Sequence, residues 1–552
     1  MNNTKRLIEC VPNFSEGRDM RIIKQITDAI ESVEDVYLLN VDPGEAANRT
    51  VVTFAGSPEA VAEAAFRAAK KASEVIDMRK HHGVHPRQGA TDVMPLIPIE
   101  GITLEECVEL ARQLAQRMAS EAGIPCYLYE AAALKPEHTN LARCRAGEYE
   151  ALYEKMTNPD KQPDCMPAVT IADGQVVESI QRCGCSVVGA RNYLIAVNFN
   201  LNTTSTRHAN AIAFDVREKG RPLREGGLPN GAIIRDENGK PRMKPGTLRC
   251  TKAIGWYIKE YGVAQVSMNI TDIQETPLHK AFDEVCFNAL NKGIRVTGTE
   301  IIGLLPKRSL IEAGKFFLEK QHRSIGIPEE DIIKIAIKSL GLDDLRPFNP
   351  REKVIEYRLE DLLLMESKTR SVTDLTIHEF ANELSRERTA PGGGAAVAFI
   401  GAMGAALGSM VANMTGNHPE LDERWEEFSQ YAAMGQDMMI RLQDLIDDHD
   451  IPATHYAALA DIAMRTMRAA MQVFVICRTM VRETSDISIA DAGIATMAAR
   501  TAVIGAGLKV KSFARMLDNR EEAEKYIAEA ESLMKRAETS EQEILAVVSS
   551  KL

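Results

Sequence analysis

The stretch VYLLNVDPGEAANRTVVTFAGSPEAVAEAAFRAAKKASEVI, residues 36–76, decides the fold of the N-terminal part of the chain. It contains two β-rich runs, VYLLNVD and RTVVTFAG, which the turn-forming segment PGEAAN separates. A helix follows, with Ser57 as its N-cap and a proline at its first position. A strand (6–12) and a helix (19–32) precede this stretch, and another strand (91–99) follows it. The order β-α-β-β-α-β predicts a ferredoxin-like α/β sandwich.

A second α/β region and a helical region follow along the chain. Strands at 192–202 and 263–272 and a helix at 276–293 mark the second region. Beyond residue 371 there is little β signal, and six helices are predicted near 373–386, 394–414, 421–447, 456–482, 489–515 and 520–550. We therefore predict an α+β chain with two ferredoxin-like α/β-sandwich subdomains and an all-α domain. The predicted boundaries are 1–187, 188–340, a linker at 341–370, and 371–552.

The composition is that of a soluble protein of several domains, with 552 residues, 45% hydrophobic and 26% charged. A net charge of −12 argues against nucleic acid as the main partner. The ten cysteines follow no disulfide spacing and the chain starts without a secretory apolar core, so we expect a reducing cytoplasm. Residues 390–414 carry no charge and could span a bilayer, but alanine and glycine dominate them. This favours a buried helix, and we expect no membrane partner.

The densest group of polar side chains is HHGVHPRQG, residues 81–89, in a predicted loop between a helix and a strand. Histidine transfers protons near neutral pH, and Arg87 offers a planar fork for a carboxylate. A metal site is an alternative, because His81 or His82 with His85 provides two nitrogen ligands. A catalytic zinc site normally has three protein ligands, and no further ligand spacing is present. A structural role is the third interpretation, and the residues alone leave all three open.

Polar residues also stand where the predicted strands end. Asn13 follows the first strand, Asp42 closes the second, and Arg49 opens the third. Such ends can converge on a site, although turn and capping roles explain each residue alone. Further along, residues 217–252 hold ten Lys or Arg and only four acidic residues. This segment is either a solvated surface loop or a site for an anionic substrate tail.

Two glycine motifs remain. Gly392, Gly393 and Gly394 precede the Ala-rich helix. Their backbone N–H groups either bind an anion or allow a tight helix entry against a neighbour. The CGC run at 183–185 has a single spacer and no second cysteine pair, so we expect no metal there.

Several segments together resemble glutamate formimidoyltransferase. They are ECVPNFSEGRD (9–19), NRTVVTFAG (48–56), VIDMRKHHGVHPRQGATDV (75–93), RAGEYEAL (145–152), VGARNYLIAVN (188–198), AIGWY (253–257) and AQVSMN (264–269). RERTAPGGGAAVAFIGAMGAALGSMVANMT (386–415) resembles formimidoyltetrahydrofolate cyclodeaminase. In this order the segments resemble the bifunctional formimidoyltransferase-cyclodeaminase family over essentially the full length, and the HPR-x-GA-x-DV and APGGG motifs are specific.

The resemblance implies a reaction of histidine breakdown without a metal. A formimidoyl group moves from N-formimidoyl-L-glutamate to N5 of the co-substrate tetrahydrofolate. The histidine of the HPR motif, His85, would take the N5 proton, and Asp42 would orient it or balance its charge. Folate binding falls on about Gln175–Gly184, and folate polyglutamate tails would give the basic 217–252 segment its ligand. The predicted substrate and folate ligands are Asn13, Arg49, Arg87, Gly184, Gly189, Arg191, Gly392, Gly393 and Gly394.

The chain departs from the cyclodeaminase family at its catalytic run. The family places its catalytic aspartate in Leu-Val-Asp-x-Asp-x-x-Ala-Phe, where this chain has LIDDHDIP (445–452). His449 stands at the second aspartate position, and the loop that follows in the family is shortened here. Asp447 and Asp450 remain as candidate catalytic residues, although both also suit a capping role. We therefore hypothesise that the cyclodeaminase fold is retained while its catalysis is weakened or lost.

Three functions compete at this point. The leading one is a folate-dependent formimidoyltransferase, the second a non-catalytic folate-binding or scaffold protein, and the third a metal-dependent hydrolase built on the histidine cluster. The resemblance also implies a ring-like homo-oligomer. The all-α domain could then persist as an assembly element without chemistry of its own.

Overall fold

The computed structural model describes residues 6–45, 48–83, 87–227, 231–259, 261–366, 371–387, 390–449, 451–452, 454–484 and 486–552. The chain divides into two compact units. The first comprises Met1–Ser309 and Gly341–Leu363, and the second Leu310–Leu340 and Leu364–Leu552.

The first α/β subdomain begins with β1 (Leu7–Cys10), β2 (Asn13–Phe14), α1 (Met20–Glu31), β3 (Val36–Gly44), β4 (Arg49–Gly56), α2 (Pro58–Val75), β5 (Thr91–Glu100), α3 (Leu104–Ala122) and β6 (Cys126–Glu130). A further segment holds α4 (Leu141–Cys144), α5 (Leu152–Thr157), β7 (Ile171–Ala172), β8 (Gln175–Val176) and α6 (Glu178–Cys183), and β9 (Ser186–Ala190) ends the subdomain. Strands β1 and β2 act as one strand interrupted at Pro12, because proline has no N–H for the ladder.

The sheet order of this subdomain is β3, β4, β1 with β2, β5, β9 and β6. Strands β1 to β5 pair antiparallel in the ferredoxin-like order, which confirms the predicted fold. Strand β9 is parallel to both β5 and β6 and extends the sheet. Helix α2 buries an alanine-rich face in the core, and small side chains of this kind allow a helix to pack closely on a sheet.

The second subdomain repeats this arrangement with β10 (Ile195–Leu201), α7 (Thr206–Val216), β11 (Arg221–Pro222), β12 (Met243–Lys244), β13 (Thr251–Ile258), β14 (Val263–Ile270), α8 (Leu278–Leu290) and β15 (Val296–Ile302). Its antiparallel sheet has the order β13, β14, β10 and β15, which is again ferredoxin-like. The second predicted sandwich is therefore confirmed, although its elements α7, β13 and β15 were not predicted individually.

The remaining elements are helices: α9 (Lys307–Lys320), α10 (Glu329–Leu340), α11 (Pro350–Lys353), α12 (Ile355–Glu366), α13 (Ile377–Leu384), α14 (Gly393–Gly416), α15 (Trp425–Asp448), α16 (Tyr456–Glu483), α17 (Asp486–Ala514) and α18 (Arg520–Lys551). All six predicted C-terminal helices are present, and all six contribute to one hydrophobic core. Helix α14 and residues Ser488–Ala514 are long and apolar enough to cross a membrane, by length and composition only. Half or more of the most apolar 18-residue window of each stretch is buried inside the protein, as expected for the core helix predicted at 390–414.

The predicted domain boundaries differ from the two units in three places. Residues 188–190, which we assigned to the second subdomain, lie in β9 of the first sheet. Residues 310–340 pack with the C-terminal helices, where the Gly326 carbonyl accepts hydrogen bonds from Asn413 Nδ2 (2.7 Å) and Ser409 Oγ (3.3 Å). Most of the predicted linker, through Leu363, belongs to the first unit.

Candidate functional site

The predicted catalytic His85 lies outside the described residues with Val84 and Pro86, but both flanks of this segment are described. On the N-terminal flank, Asn48 holds two histidines. Its backbone carbonyl accepts a hydrogen bond from His81 Nε2 (2.7 Å), and its side-chain amide donates to the His82 carbonyl (3.1 Å). Asn48 has a φ of 49°, a conformation in which asparagine is enriched, and its Oδ1 accepts the N–H of Gly17 (3.0 Å).

On the C-terminal flank, Arg87 is engaged by carboxylates of the chain itself. Its guanidinium binds Glu150 through two hydrogen bonds (2.8 and 3.0 Å) and Glu148 through one (3.2 Å). We predicted that this planar fork would bind a carboxylate of the substrate. In the structure it ties the C-terminal flank of the histidine segment to the RAGEYE turn, whose Glu148 and Glu150 are 61 and 63 residues away in sequence. The substrate contact of Arg87 stays a prediction.

A buried network fixes the next residue, Gln88. Its side-chain oxygen accepts a hydrogen bond from Lys155 Nζ (2.6 Å), and its N–H donates to Asp92 Oδ1 (3.0 Å). Lys155 is 3% exposed and also donates to the Glu148 carbonyl (3.0 Å). Burial lowers the pKa of the Lys155 ammonium. The sequence signal for this network is weak, because a lone lysine usually indicates a solvated surface.

The predicted strand-end residues are brought together in part. Asn13 Oδ1 accepts two hydrogen bonds from the Arg49 guanidinium (3.0 and 2.6 Å). Burial lowers the pKa of Arg49 to about 10, although the negative charge of Asp92 acts in the opposite direction. Asp92 accepts a hydrogen bond from Arg145. Asp42 lies within β3 and is exposed, and no hydrogen bond of its carboxylate occurs among the described residues. The predicted convergence therefore includes Asn13 and Arg49, with no described contact to Asp42.

A cavity of about 920 Å³ opens beside this cluster within the first unit. Three cationic side chains line it, Arg145, Arg191 and Lys252. Arg191 is half-buried, and behind it Glu9 is 2% exposed. Burial raises the pKa of Glu9 to about 8, against the opposing charge of Arg191. Three carboxylates, Glu130, Glu148 and Asp272, also line the cavity, so Arg191 and Lys252 offer local positive charge to an anionic ligand within a lining of mixed charge.

Most arginines of the basic 217–252 segment form hydrogen bonds within the segment or with helix α7. Arg217, Arg221, Arg224 and Arg235 each donate to a backbone carbonyl, and Arg221 also pairs with Asp215. Lys252, at the start of β13, faces the cavity. Of the two interpretations of this segment, the described contacts favour a folded surface segment for most of its arginines.

The predicted ligands Gly184 and Gly189 have backbone roles. Gly184 ends α6 with a φ of 68°, and a Cβ there would lie 2.2 Å from the Gln88 carbonyl oxygen. Gly189 lies in β9, where a Cβ would lie 2.4 Å from the Tyr129 carbonyl oxygen and 2.5 Å from its ring. Close approach of the backbones explains both glycines without a ligand.

Gly189→Ala is expected to lower the free energy of unfolding of the first unit by about 1–3 kcal/mol, because β9 and β6 must move apart. Urea denaturation followed by circular dichroism measures the change. The matched control is Gly493→Ala in helix α17, where the nearest atom would lie 3.4 Å from the new Cβ. Equal stability of Gly189→Ala and the wild type would contradict the steric argument.

In the second unit, helix α14 begins at Gly393, with Gly392 as its N-cap, so two of the three predicted anion-binding glycines are inside the helix. Gly394 packs against His449, and a Cβ on it would lie 2.1 Å from His449 Cδ2. Of the two interpretations for these glycines, this contact favours a tight helix entry. A Cβ on Gly393 would meet Lys509 Cε at 3.1 Å.

The acidic run at the end of α15 makes hydrogen bonds to another segment. Asp447 accepts hydrogen bonds from the N–H (3.1 Å) and Oγ1 (2.6 Å) of Thr373, and Asp450 lies outside the described residues. His449 is 8% exposed, and its Nδ1 donates to the Leu445 carbonyl (2.5 Å). Burial lowers the pKa of this imidazole. An uncharged ring therefore stands where the family has its second aspartate.

Within the described part of the chain, no group of three or more His, Cys, Asp or Glu side chains could hold a metal ion. Cys183 and Cys185 are both buried, and burial raises the pKa of each thiol to about 12. Of the described histidines in the cluster, His81 donates from Nε2 to the Asn48 carbonyl, and His82 accepts a hydrogen bond at its own backbone carbonyl from Asn48.

Comparisons with known proteins agree with the resemblance found in the sequence. The N-terminal subdomain of the formiminotransferase domain matches residues 7–191, the formiminotransferase domain matches 196–360, and the formiminotransferase-cyclodeaminase model matches 376–453 and 449–532. The last match breaks at the run that contains His449 and Asp450.

Individual relatives carry both activities in their names. Formimidoyltransferase-cyclodeaminase of Rattus norvegicus is 40% identical over 76% of this chain and 71% of its own length. Glutamate formimidoyltransferase of Streptococcus pyogenes is 37% identical over 57% of this chain and 94% of its own. Methenyltetrahydrofolate cyclohydrolase of Methylorubrum extorquens is 30% identical over 32% of this chain and 97% of its own. Taken with the two ferredoxin-like sandwiches and the helical unit, these matches establish that the chain belongs to the formimidoyltransferase-cyclodeaminase family.

Proposed function

We propose that this chain is a glutamate formimidoyltransferase of histidine degradation, which moves the formimidoyl group of N-formimidoyl-L-glutamate to N5 of tetrahydrofolate. The observation that carries the proposal is the family match over residues 7–191 and 196–360, supported by the contacts of Asn48, Arg87 and Lys155 that fix the described flanks of the histidine segment. Purified protein should form 5-formimidoyltetrahydrofolate and release glutamate. Absence of both products would contradict the proposal and favour the non-catalytic folate-binding alternative.

The reaction needs one proton to be taken and one to be delivered. As N5 attacks the amidine carbon, a base removes the N5 proton while the new C–N bond forms. The bond from that carbon to the glutamate nitrogen then breaks, and the proton passes to the leaving amine. His85 is the proposed base, since imidazole can both accept and return a proton near neutral pH. Asp42, on the exposed part of β3, is its proposed electrostatic partner.

The 920 Å³ cavity is the proposed site for the anionic glutamate part of tetrahydrofolate. Its volume is within the range of drug-sized ligand pockets. Gln175, Val176 and Gln181 of the predicted folate-binding run line a separate cavity of about 400 Å³. Arg145 is committed to Asp92, so Arg191 and Lys252 are the proposed anchors for carboxylates, including those of a polyglutamate tail.

Arg191→Met is expected to raise the KM for tetrahydrofolate about tenfold with little change in kcat, because one charge-assisted contact to a carboxylate is lost. Steady-state kinetics with tetrahydrofolate as the varied substrate measures this. Arg207→Met, on the exposed side of α7, is the matched control and should keep the wild-type KM. An unchanged KM in Arg191→Met would remove Arg191 from the folate site.

We also propose that the protein acts in the cytoplasm as a homo-oligomer, with small-molecule substrates and no nucleic acid, membrane or metal. The ten cysteines follow no disulfide-framework spacing in the sequence, which supports a reducing compartment. Exposed apolar side chains on the helical unit support self-association, among them Met403, Met410, Ile494 and Met497. Light scattering coupled to size-exclusion chromatography tests the assembly, and a monomeric mass would contradict it.

A further inference from the structure

Two glutamates that line the 920 Å³ cavity have backbone conformations that glutamate rarely adopts. The φ of Glu130 is 52° and that of Glu148 is 53°, in the left-handed region where most side chains are disfavoured. Such a conformation persists only where the surrounding structure imposes it, and residues of this kind cluster at ligand-binding and catalytic sites. The conformation alone assigns no role, so the charges and contacts of each glutamate decide which of them suits a ligand.

The two ends of the cavity are separated along strand β5. Asp92 stands near the start of this strand, and the Arg191 N–H donates to the carbonyl of Leu96, four residues further on (3.2 Å). Four residues of an extended strand span about 13 Å. Glu148 lies at the Asp92 end, because it binds Arg87, and the residue after Arg87 donates its N–H to Asp92 (3.0 Å).

The two glutamates differ in the charges beside them. Glu130 lies opposite Ala190 at the end of β6, and burial raises its pKa although Lys252 and Arg191 act in the opposite direction. It therefore belongs to the end of the cavity that is proposed for the carboxylates of folate. Glu148 lies at the other end, where 41% of its side chain is exposed.

The Glu148 carboxylate has acceptor capacity that the protein leaves unused. Arg87 donates to its Oε2 from the backbone N–H (3.4 Å) and from the guanidinium (3.2 Å). Within the described ranges, its Oε1 accepts no hydrogen bond. Each carboxylate oxygen can accept two hydrogen bonds, so a ligand with two N–H donors can bind both oxygens at once.

The cations around Glu148 are engaged by other groups. Arg87 binds Glu150 through two hydrogen bonds, and Arg145 pairs with the buried aspartate at the start of β5. Lys155 is 3% exposed and donates to the backbone carbonyl of Glu148, not to its carboxylate. A cationic group of a ligand can therefore bind the Glu148 carboxylate from the cavity without displacing an ion pair of the protein.

We propose that the Glu148 carboxylate binds the formimidoyl group of N-formimidoyl-L-glutamate, in the same cavity that receives tetrahydrofolate. This inference rests on the proposed transferase function. The formimidoyl group is an amidine, which is protonated at neutral pH and presents N–H donors to both carboxylate oxygens. Arg87, which Glu148 contacts, is two residues from His85 in the chain. Glu148 thus holds the amidine carbon beside the segment that carries the proposed base.

Binding measurements with a matched pair of ligands test this assignment without turnover. N-formyl-L-glutamate has an uncharged carbonyl oxygen where the substrate has an amidine nitrogen, so it brings an acceptor to the carboxylate. Isothermal titration of the full chain is expected to give a Kd for N-formimidoyl-L-glutamate about tenfold below that for N-formyl-L-glutamate. In Glu148→Gln the ratio of the two Kd values should fall to near one, because the negative charge is lost while the side chain keeps its size.

Glu150→Gln is the matched control, since it removes the same charge from the same turn. Glu150 makes two hydrogen bonds to the Arg87 side chain and lines the separate 400 Å³ cavity. This variant should therefore keep the ratio, although it loosens Arg87 more than Glu148→Gln does. Equal Kd values in the wild type, or an undiminished ratio in Glu148→Gln, would overturn the proposal. An equal fall of the ratio in Glu150→Gln would assign the effect to the net charge or the fold of the turn, and would also overturn it.

A second variant keeps the charge and eases the backbone. Glu148→Asp retains a carboxylate, and aspartate tolerates a positive φ better than glutamate does, so a several-fold preference for the amidine should remain. Loss of the preference in Glu148→Asp would overturn the role of the charge. Wild-type protein that discriminates the two ligands but transfers no formimidoyl group would contradict the transferase function while leaving this binding site intact.

Discussion

His85→Ala is expected to lower kcat for formimidoyl transfer by about 10²–10⁴-fold, the usual contribution of one general acid–base residue. The amine at N5 must lose its proton as it attacks, and the same proton must reach the departing glutamate nitrogen. Without the imidazole, water performs both steps. Spectrophotometric detection of 5-formimidoyltetrahydrofolate together with enzymatic assay of glutamate measures the loss.

The matched control for this variant is His82→Ala. The backbone carbonyl of His82 accepts a hydrogen bond from the Asn48 side-chain amide. The substitution leaves this backbone contact in place. Activity of His82→Ala should therefore stay near that of the wild type. A kcat of His85→Ala within a few-fold of the wild type would remove His85 as the base. A larger loss in His82→Ala than in His85→Ala would reassign that role within the cluster.

The second large effect concerns the helical unit. Protein supplied with 5-formimidoyltetrahydrofolate is expected to release ammonia at close to the uncatalysed rate. The Asp447 carboxylate is occupied by Thr373, and a neutral His449 fills the space beside Gly394. Ring closure needs a base for the N10 proton and an acid for departing ammonia, and both His449 ring nitrogens are buried, one bonded to the Leu445 carbonyl. A coupled ammonia assay and the absorbance of 5,10-methenyltetrahydrofolate measure the rate.

The cyclohydrolase relative defines a second product to follow. Formation of 10-formyltetrahydrofolate from 5,10-methenyltetrahydrofolate would indicate hydrolysis in place of deamination. His449→Asp restores the family carboxylate and is the matched variant. Faster ammonia release in it than in the wild type would show that this one position limits catalysis. Ammonia and 5,10-methenyltetrahydrofolate formed by the wild type at an enzymatic rate would contradict the hypothesis that cyclodeaminase catalysis is weakened or lost.

Local signals in the sequence were sufficient for much of the fold. Helix α2 follows from Ser57, a proline at its first position and a dense alanine face, and the C-terminal helices follow from long uninterrupted runs. Strand β13 was missed, because it follows a Gly- and Pro-rich basic segment and exposes Ile254 and Trp256. Its pairing with β14 supplies stabilisation that local propensity does not encode.

The residue types were enough to identify the histidine segment as a candidate site. The hydrogen-bond partners of its neighbouring residues depend on contacts between distant parts of the chain. The sequence could not reveal that Arg87 binds Glu148 and Glu150, since both glutamates lie about 60 residues after Arg87 in the chain. Similarly, the packing of His449 on Gly394 depends on two helices crossing closely. The position of His85 itself stays a prediction from its motif.

The excursion of residues 310–340 into the helical unit has a consequence for how this protein could be divided. The chain passes from one unit to the other after Ser309, after Leu340 and after Leu363, so no single cut separates them. A gene fragment that starts at residue 371 would leave Ser409 and Asn413 without the Gly326 carbonyl to which they donate. A helical unit produced on its own would therefore need residues 310–340 together with the segment from residue 364 onward.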